Sequence, residues 1–387
     1  MKLSTLSFFV ITSLLVSSFL VTSVLGFQGQ VNISSSGTIS YGASLLKLHV
    51  EGIHIVDSGG RKVKLAGIGV LAYCPDASIM IDEEGVQWFK NRGFNVLRLA
   101  MDWQYFEPTK GVYDDSYFVN YVDPVVNWCE KHGVYVILDM HHYLLSPYWG
   151  GDGFPTWACM SYPATNEGRN AFLRDFWQNT GVGVENTAKF IAAWQHVVNR
   201  YKDRNVIAAY ELFNEPGSAP WIGDWGYLIP FMGRFYNERL VPAIRAIDPE
   251  TIVIYDSHMD LWSIDDNVKQ THENVVWGCS FYHYSVAEGG YDPATQYNEL
   301  KELYVAFYNQ FCGVFGTPWL NMEFGGDMTL DNNLQWVDDT CRASAEVGDG
   351  HFLYWHYGKN DYHTWIPRNL DGSDKPVVAI LQKHTSP

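Results

Sequence analysis

Asn205–Gly217 reads NVIAAYELFNEPG. Val206, Ile207, Ala208, Ala209, Leu212 and Phe213 form the near-continuous apolar run of a parallel strand covered on both faces. Asn214, Glu215 and Pro216 then stop it. Proline pushes the residue before it out of the right-handed helical region, so Glu215 is expected to be extended at the carboxyl end of the strand, where α/β folds place their ligands. A second stretch of the same kind, Thr317–Gly326 (TPWLNMEFGG), runs through Trp319, Leu320 and Met322 into Glu323. One strand-end glutamate is ordinarily a salt-bridge or capping residue. Two of them, each closing a buried strand, point to a shared site.

Working outward, eight apolar runs read as strands: Val63–Val70, Phe94–Met101, Val134–Met140, Val206–Phe213, Thr251–Tyr255, Val275–Tyr282, Pro318–Met322 and Phe352–Trp355. Helical spacing lies between them. Phe118, Val122, Val125 and Cys129 recur in this way before His132-Gly133; so do Ala188, Ile191, Trp194, Val197, Val198 and Tyr201, and Leu300, Leu303, Phe307 and Phe311. Strand and helix alternating without an internal linker or repeat predict a closed (β/α)8 TIM barrel. His49–Val56 and Lys62–Leu65, separated by Ser58-Gly59-Gly60, predict a short N-terminal β-hairpin ahead of it. The non-periodic segment from Tyr143 to about Gly183 reads as a long rim loop.

The domain reading is residues 1–26 as a secretory signal peptide, 27–46 as a polar linker and 47–387 as the barrel. Lys2 precedes an apolar run from Leu3 to Leu25, which predicts export and cleavage near Gly26; an uncleaved membrane anchor is the other reading. Six cysteines without CxxC spacing fit an exported protein with a few disulfides. Asn32-Ile33-Ser34 is a glycosylation sequon. The 387-residue chain is 47% hydrophobic, enough for a large core. Its formal charge of −17 argues against nucleic acid or an anionic membrane surface as partner. Aromatic residues make up 16% of the chain, and flat rings with polar tips suit the faces of sugars as well as cores.

If the barrel closes, its strand ends gather Arg98, Asp102 and Trp103, then Asp139, His141 and His142, then Asn214 and Glu215, then Tyr282, His283 and Tyr284, then Glu323, Trp355 and His356. Cleaving a glycosidic bond with retention needs an acid for the leaving oxygen and a carboxylate nucleophile about 5–5.5 Å away. Glu323 beside Arg98 suits the nucleophile, and Glu215, partly buried and facing another negative charge, suits the acid.

YELFNEP, NMEFGG, NVLRLAMDW, ILDMHH and LYWHYG, in this order, resemble glycoside hydrolase family 5, the cellulase-type members of the clan of retaining glycosidases, over about Leu48 to Leu381. The resemblance implies Glu215 as acid/base and Glu323 as nucleophile. It makes Asn214 the residue that binds the sugar 2-hydroxyl, Arg98 the arginine beside the nucleophile, and His141 the strand-three histidine, with His142 next to it in the substrate-binding set. Trp355 becomes the platform under the sugar being cleaved, Tyr284 the tyrosine that holds the nucleophile, and His283 a substrate-binding residue. LDMHH, GGDGFPTWA and GVGVENTAKFIAAWQHV look closest to the endoglycoceramidase-like branch.

The expected activity is therefore a secreted, monomeric, retaining endo-β-glycosidase that acts inside chains of β-linked glucan in the manner of an endoglucanase, its partner a β-linked polysaccharide or oligosaccharide. A β-glycosylated lipid is the alternative substrate, and a carbohydrate-binding barrel without catalysis or an inverting hydrolase are the rival readings. No cofactor and no metal are expected: Gly67–Tyr73 (GIGVLAY) lacks the His-x-His that metal-dependent barrel hydrolases carry on their first strand. Trp149, Trp157, Trp221, Trp225, Trp262 and Trp365 read as rim residues able to stack on sugars or to pack loops, and His258 and Asp256 as structural residues.

Overall fold

The computed structural model describes residues 31–33, 39–41, 45–72, 81–217, 225–257, 268–282, 290–358 and 364–386. The chain divides into two units, Met1–Leu45 and Leu46–Pro387. In the first, β1 (Val31–Ile33) pairs antiparallel with β2 (Ile39–Tyr41), so the polar lead-in carries a short ladder.

The second unit opens on a hairpin of β3 (Leu48–Glu51) and β4 (His54–Asp57). Its turn is not where the sequence suggested. The run expected as one strand, His49–Val56, folds in two at Gly52-Ile53, with Gly52 at φ 61°, a conformation glycine adopts without steric cost. Ser58–Gly60 forms a second turn, closed by a Val56–Lys62 bridge and by Asp57 Oδ1, which accepts the Gly59 and Arg61 N–H groups at 2.9 and 3.1 Å. Three bonds seat this region. The Tyr135 hydroxyl donates to the Leu46 carbonyl (2.7 Å), Lys47 Nζ to Thr251 Oγ1 (2.6 Å) and the Val50 N–H to Asn274 Oδ1 (2.8 Å). All three partners open or precede barrel strands. The hairpin thus covers the amino end of the barrel and leaves the carboxyl end for a site.

The barrel is closed by eight parallel strands: β5 (Ala66–Leu71), β6 (Val96–Met101), β7 (Tyr135–Met140), β8 (Ile207–Glu211), β9 (Ile252–Asp256), β10 (Val275–Ser280), β11 (Trp319–Phe324) and β12 (Phe352–Tyr357), which returns to β5. Each matches one apolar run in the sequence, with ends shifted by a few residues. The register sets Asp139 of β7 level with Glu211 of β8, and Ser280 of β10 level with Glu323 of β11.

Helix Gly183–Tyr201 presses Phe190, Trp194, Val197, Val198 and Tyr201 onto the sheet. Its Trp194 indole donates to the Leu212 carbonyl at 2.9 Å, pinning the chain on its way to Glu215. Helix Asp123–His132 stops at Gly133, left-handed at φ 67°, as the sequence predicted. The segment expected as an irregular loop from Tyr143 to Gly183 instead contains helix Asn166–Gln178. Thr165 caps it by accepting the Gly168 N–H, and Phe172, Leu173, Phe176 and Trp177 repeat at helical spacing on its buried face. Asn, Arg, Asp and Gln on the other face dilute that pattern in the sequence.

The expectation of disulfides is also corrected: Cys129, Cys159, Cys279, Cys312 and Cys341 are buried free thiols, packed as small apolar side chains. Cys74 lies outside the described residues.

Gly67 tests the barrel's packing directly, since a Cβ there would lie 2.0 Å from the Val96 carbonyl oxygen of the neighbouring strand. Backbone cannot yield as a side chain can. Gly67→Ala should therefore cost more than about 2 kcal/mol, read as a lower midpoint in denaturant unfolding.

Candidate active site

The carboxyl end of the barrel is organised around Arg98 of β6, a fully buried guanidinium. Its Nε and Nη2 donate to the two oxygens of Glu211, both at 2.6 Å. Nη2 also donates to Asn214 Oδ1 (2.7 Å) and lies 3.0 Å from Asp139 Oδ2, while Nη1 donates to Glu323 Oε1 at 2.5 Å. One cation thus faces three carboxyl groups. Burial, opposed by Arg98, pushes Asp139 and Glu211 each up to about 8. Near neutral pH the pair therefore holds at least one proton between them.

Glu323 sits at the end of β11 and is 5% exposed. Its Oε1 is held by Arg98 and its Oε2 by the Tyr282 hydroxyl at 3.0 Å. The resemblance had implied such a bond for Tyr284; Tyr282, two residues earlier, makes it. Burial, and then the charges of Glu323 and Glu215, push the Tyr282 phenol well up, so it acts as a donor.

Glu215 does not take the extended conformation expected of a residue before proline. Its φ is 39°, in the left-handed region. A following proline excludes right-handed helix but leaves this well open at a cost on the order of 1–3 kcal/mol. The Glu215 N–H, aimed by that turn, donates to Asp256 Oδ2 at 2.9 Å. Burial first, then the negative charges of Glu323 and Asp256, hold the Glu215 carboxyl well above the ordinary range, with Arg98 pulling the other way. A protonated Glu215 therefore shares this mouth with a Glu323 whose two oxygens are both bonded. The two carboxyl groups lie close enough for the charge of Glu323 to raise Glu215.

The Asn214 N–H donates to the Met140 carbonyl (3.1 Å), and its Nδ2 donates to the His142 carbonyl (3.0 Å). His141 is paired through Nδ1 with Asp139 Oδ2 at 2.8 Å, and burial followed by the Arg98 charge pushes it down to about 4, so it is neutral. Its ring stacks on Trp355, centroids 5.1 Å apart at 14°. Trp355 can lie there because Gly69 has no side chain: a Cβ at that position would fall 2.5 Å from the indole ring. His142 is buried, edge-on against Phe213 with centroids 4.9 Å apart.

Of the rim tryptophans, Trp149 and Trp157 are tied into the loops, donating to the Pro163 carbonyl (3.1 Å) and the Glu107 carbonyl (2.9 Å). Half-buried Trp365 lies beside Tyr282, centroids 5.7 Å apart. His283, Tyr284, His258, Trp221 and Trp262 lie outside the described residues, as does the side chain of Trp225.

Sequence reasoning missed Glu211, placed Tyr282 and Asp139 at the strand ends without a role, and read Asp256 as structural. The signal for Glu211 and Asp139 was available: an acidic residue inside an otherwise apolar strand requires a buried partner, and Arg98 is the only arginine or lysine within the eight strands.

Two outcomes follow. Tyr282→Phe removes one bond to a charged oxygen, worth about 1.5–3 kcal/mol, so kcat/KM should fall about 10- to 150-fold with little change in melting temperature. Asp139 titrates far higher folded than unfolded, so the stability it contributes is complete below its unfolded value near pH 4 and is lost as pH rises through about 8. Melting temperature should therefore drop between about pH 5.5 and 8.5, and less steeply in Asp139→Asn, as read by scanning fluorimetry.

Comparison with known proteins agrees with this geometry. The family model described as Cellulase (glycosyl hydrolase family 5) matches residues 56–361. Endoglycoceramidase I of Rhodococcus hoagii is 28% identical over 228 residues, 54% of this chain and 45% of that protein. An endoglycoceramidase of Cyanea nozakii is 24% identical over 288 residues, 64% of this chain and 54% of that protein. The chain thus spans about half the length of these two relatives. Endoglucanase CelA of Streptomyces lividans is 27% identical over 363 residues, 87% of this chain and 61% of that protein. Among solved structures, endo-glycoceramidase II from Rhodococcus sp. superposes with a TM-score of 0.73 at 22% identity, over 86% of this chain and 81% of that one, a likeness of fold. With the model spanning most of the chain, this protein belongs to glycosyl hydrolase family 5.

Proposed function

We propose that the protein hydrolyses a β-glycosidic bond with retention by double displacement. Glu215 donates its proton to the leaving oxygen while Glu323 attacks the anomeric carbon, and the bond broken is the one between that carbon and the leaving oxygen. A water then attacks the glycosyl-enzyme ester, giving its proton to Glu215 and releasing Glu323. The observation that carries this reading is the coupling of the two groups: Glu323 is the largest charge raising Glu215. Esterification of Glu323 removes that charge, so Glu215 becomes a better base when the second step needs one.

The substrate we propose is a β-linked glucan cut within the chain. Two endoglucanases that align over most of this sequence support it. A second reading, a β-glycosylated lipid, is favoured by the exposed Tyr143 and Met160 in the segment after β7 and by the endoglycoceramidases among the relatives. We further propose that Met1–Gly26 directs export and that the protein acts as a monomer. No helix of the described residues is long and apolar enough to cross a membrane.

Glu323→Gln should lose more than about 1000-fold in kcat. Glu215→Ala should recover turnover of activated aryl β-glycosides when azide is added, giving a β-glycosyl azide. Product NMR should show the β-anomer first; an α-anomer would overturn the mechanism. A panel of β-1,4-glucan, β-1,3-glucan, β-mannan, xylan and a glycosylceramide decides between the substrates, with glucan oligomers expected and free ceramide as the contrary result.

A further inference from the structure

Asp256 closes β9 and is fully buried. A buried carboxylate at the carboxyl end of a barrel strand needs a purpose beyond filling space. Its Oδ2 accepts the backbone N–H of Glu215, the residue held at φ 39°. The left-handed turn and this bond depend on one another. The turn points the Glu215 N–H at β9, and the bond stabilises a backbone conformation that a residue with a side chain adopts only where its surroundings impose it.

The charges around Glu215 can be followed strand by strand. Glu323 on β11 and Asp256 on β9 are negative, and both raise Glu215 after burial has done so; Arg98 on β6 is positive and opposes them. The Ser280 hydroxyl on β10 also favours the charged form, more weakly, and the neighbouring Tyr282 is a neutral phenol. Asp256 itself faces Tyr236 and the Cys279 thiol, both pushed well up and so uncharged. Of the two anions acting on Glu215, Glu323 is consumed when the ester forms. Asp256 forms no ester and stays beside Glu215 through both steps.

Resting on the acid/base reading of Glu215, we infer that Asp256 is a positioning residue for that group: its carboxylate fixes the backbone at Glu215 and supplies a negative charge that favours the proton-donating form. The charge and the hydrogen bond can be separated. Asp256→Asn keeps an oxygen for the Glu215 N–H and removes the charge, whereas Asp256→Ala removes both.

Kinetics with two aryl β-glycosides of one sugar, cellobiose or lactose, test this. One carries a 2,4-dinitrophenolate leaving group, which departs without protonation; the other carries unactivated phenolate, which requires it. For the phenyl substrate, the alkaline limb of the kcat/KM profile should move down by about one pH unit in Asp256→Asn. Asp256→Ala should lose about 100-fold on that substrate. The dinitrophenyl substrate should stay within about 3-fold of the parent in Asp256→Asn, because a defect confined to proton donation does not touch it. An unmoved alkaline limb, or equal losses on both substrates, overturns the proposal. Asp256→Ser keeps a shorter acceptor should Asn not fold; a protein that folds with none of the three replacements assigns Asp256 to the fold alone and also overturns it. Glu215→Ala is measured alongside. If that variant shows no preference for the activated leaving group, the acid/base reading itself fails. If it does and Asp256→Asn does not, only the role of Asp256 falls.

Discussion

A single buried guanidinium has to satisfy three carboxyl groups at once, and much of the architecture serves that requirement. Arg98 reaches Glu211 with both prongs of its fork, Glu323 with Nη1, and Asn214 and Asp139 with what remains. Taking these groups out of water is expensive, and removing one partner would leave an unopposed buried charge. The cluster is therefore a weak source of stability and a strong source of specificity. It fixes four strands, β6, β7, β8 and β11, in one rotational setting around the barrel axis. A lysine could not substitute, because a point charge on a flexible stem lacks the fork that holds Glu211 and Glu323 apart.

The same cluster makes the two glutamates unlike. Glu323 is bonded at both oxygens, by Arg98 and by Tyr282, and is held in one orientation. Glu215, by contrast, is half-buried, with Asp256 against its backbone. On the proposed mechanism, two side chains of the same type thereby take opposite duties from their surroundings. Trp355, stacked with His141 over Gly69, closes the opening with a flat apolar surface beside the charged one. A sugar ring presents the same combination of a flat face and polar edges.

Much of this could be read in the chain beforehand, and what could not has a physical pattern. The eight apolar runs and the helices between them were legible because buried parallel strands leave no polar positions to confuse the reading. Glu215, Glu323, Arg98, Asn214, His141 and Trp355 were legible as strand-end residues, and the structure brings them to one rim. Helix Asn166–Gln178 was hidden by its polar outer face, and the hairpin turn at Gly52 by a more conspicuous Ser-Gly-Gly nearby. The bond from Tyr282 was missed for want of register: β10 and β11 shift between Cys279 and Ser280, so the residue facing Glu323 cannot be counted from the strand start. The left-handed backbone at Glu215 was missed because proline's effect on its predecessor specifies which well is closed, and not which of the others is taken.

Covalent trapping with an activated 2-deoxy-2-fluoro-β-glycoside addresses the central claim, that Glu323 becomes bonded to the sugar while Glu215 handles the proton. The account predicts time-dependent inactivation, a mass increase of one fluorosugar per chain, and a labelled peptide in which Glu323 carries the sugar. A label on another residue, or an active preparation that turns over the reagent without ever forming a covalent adduct, would contradict it.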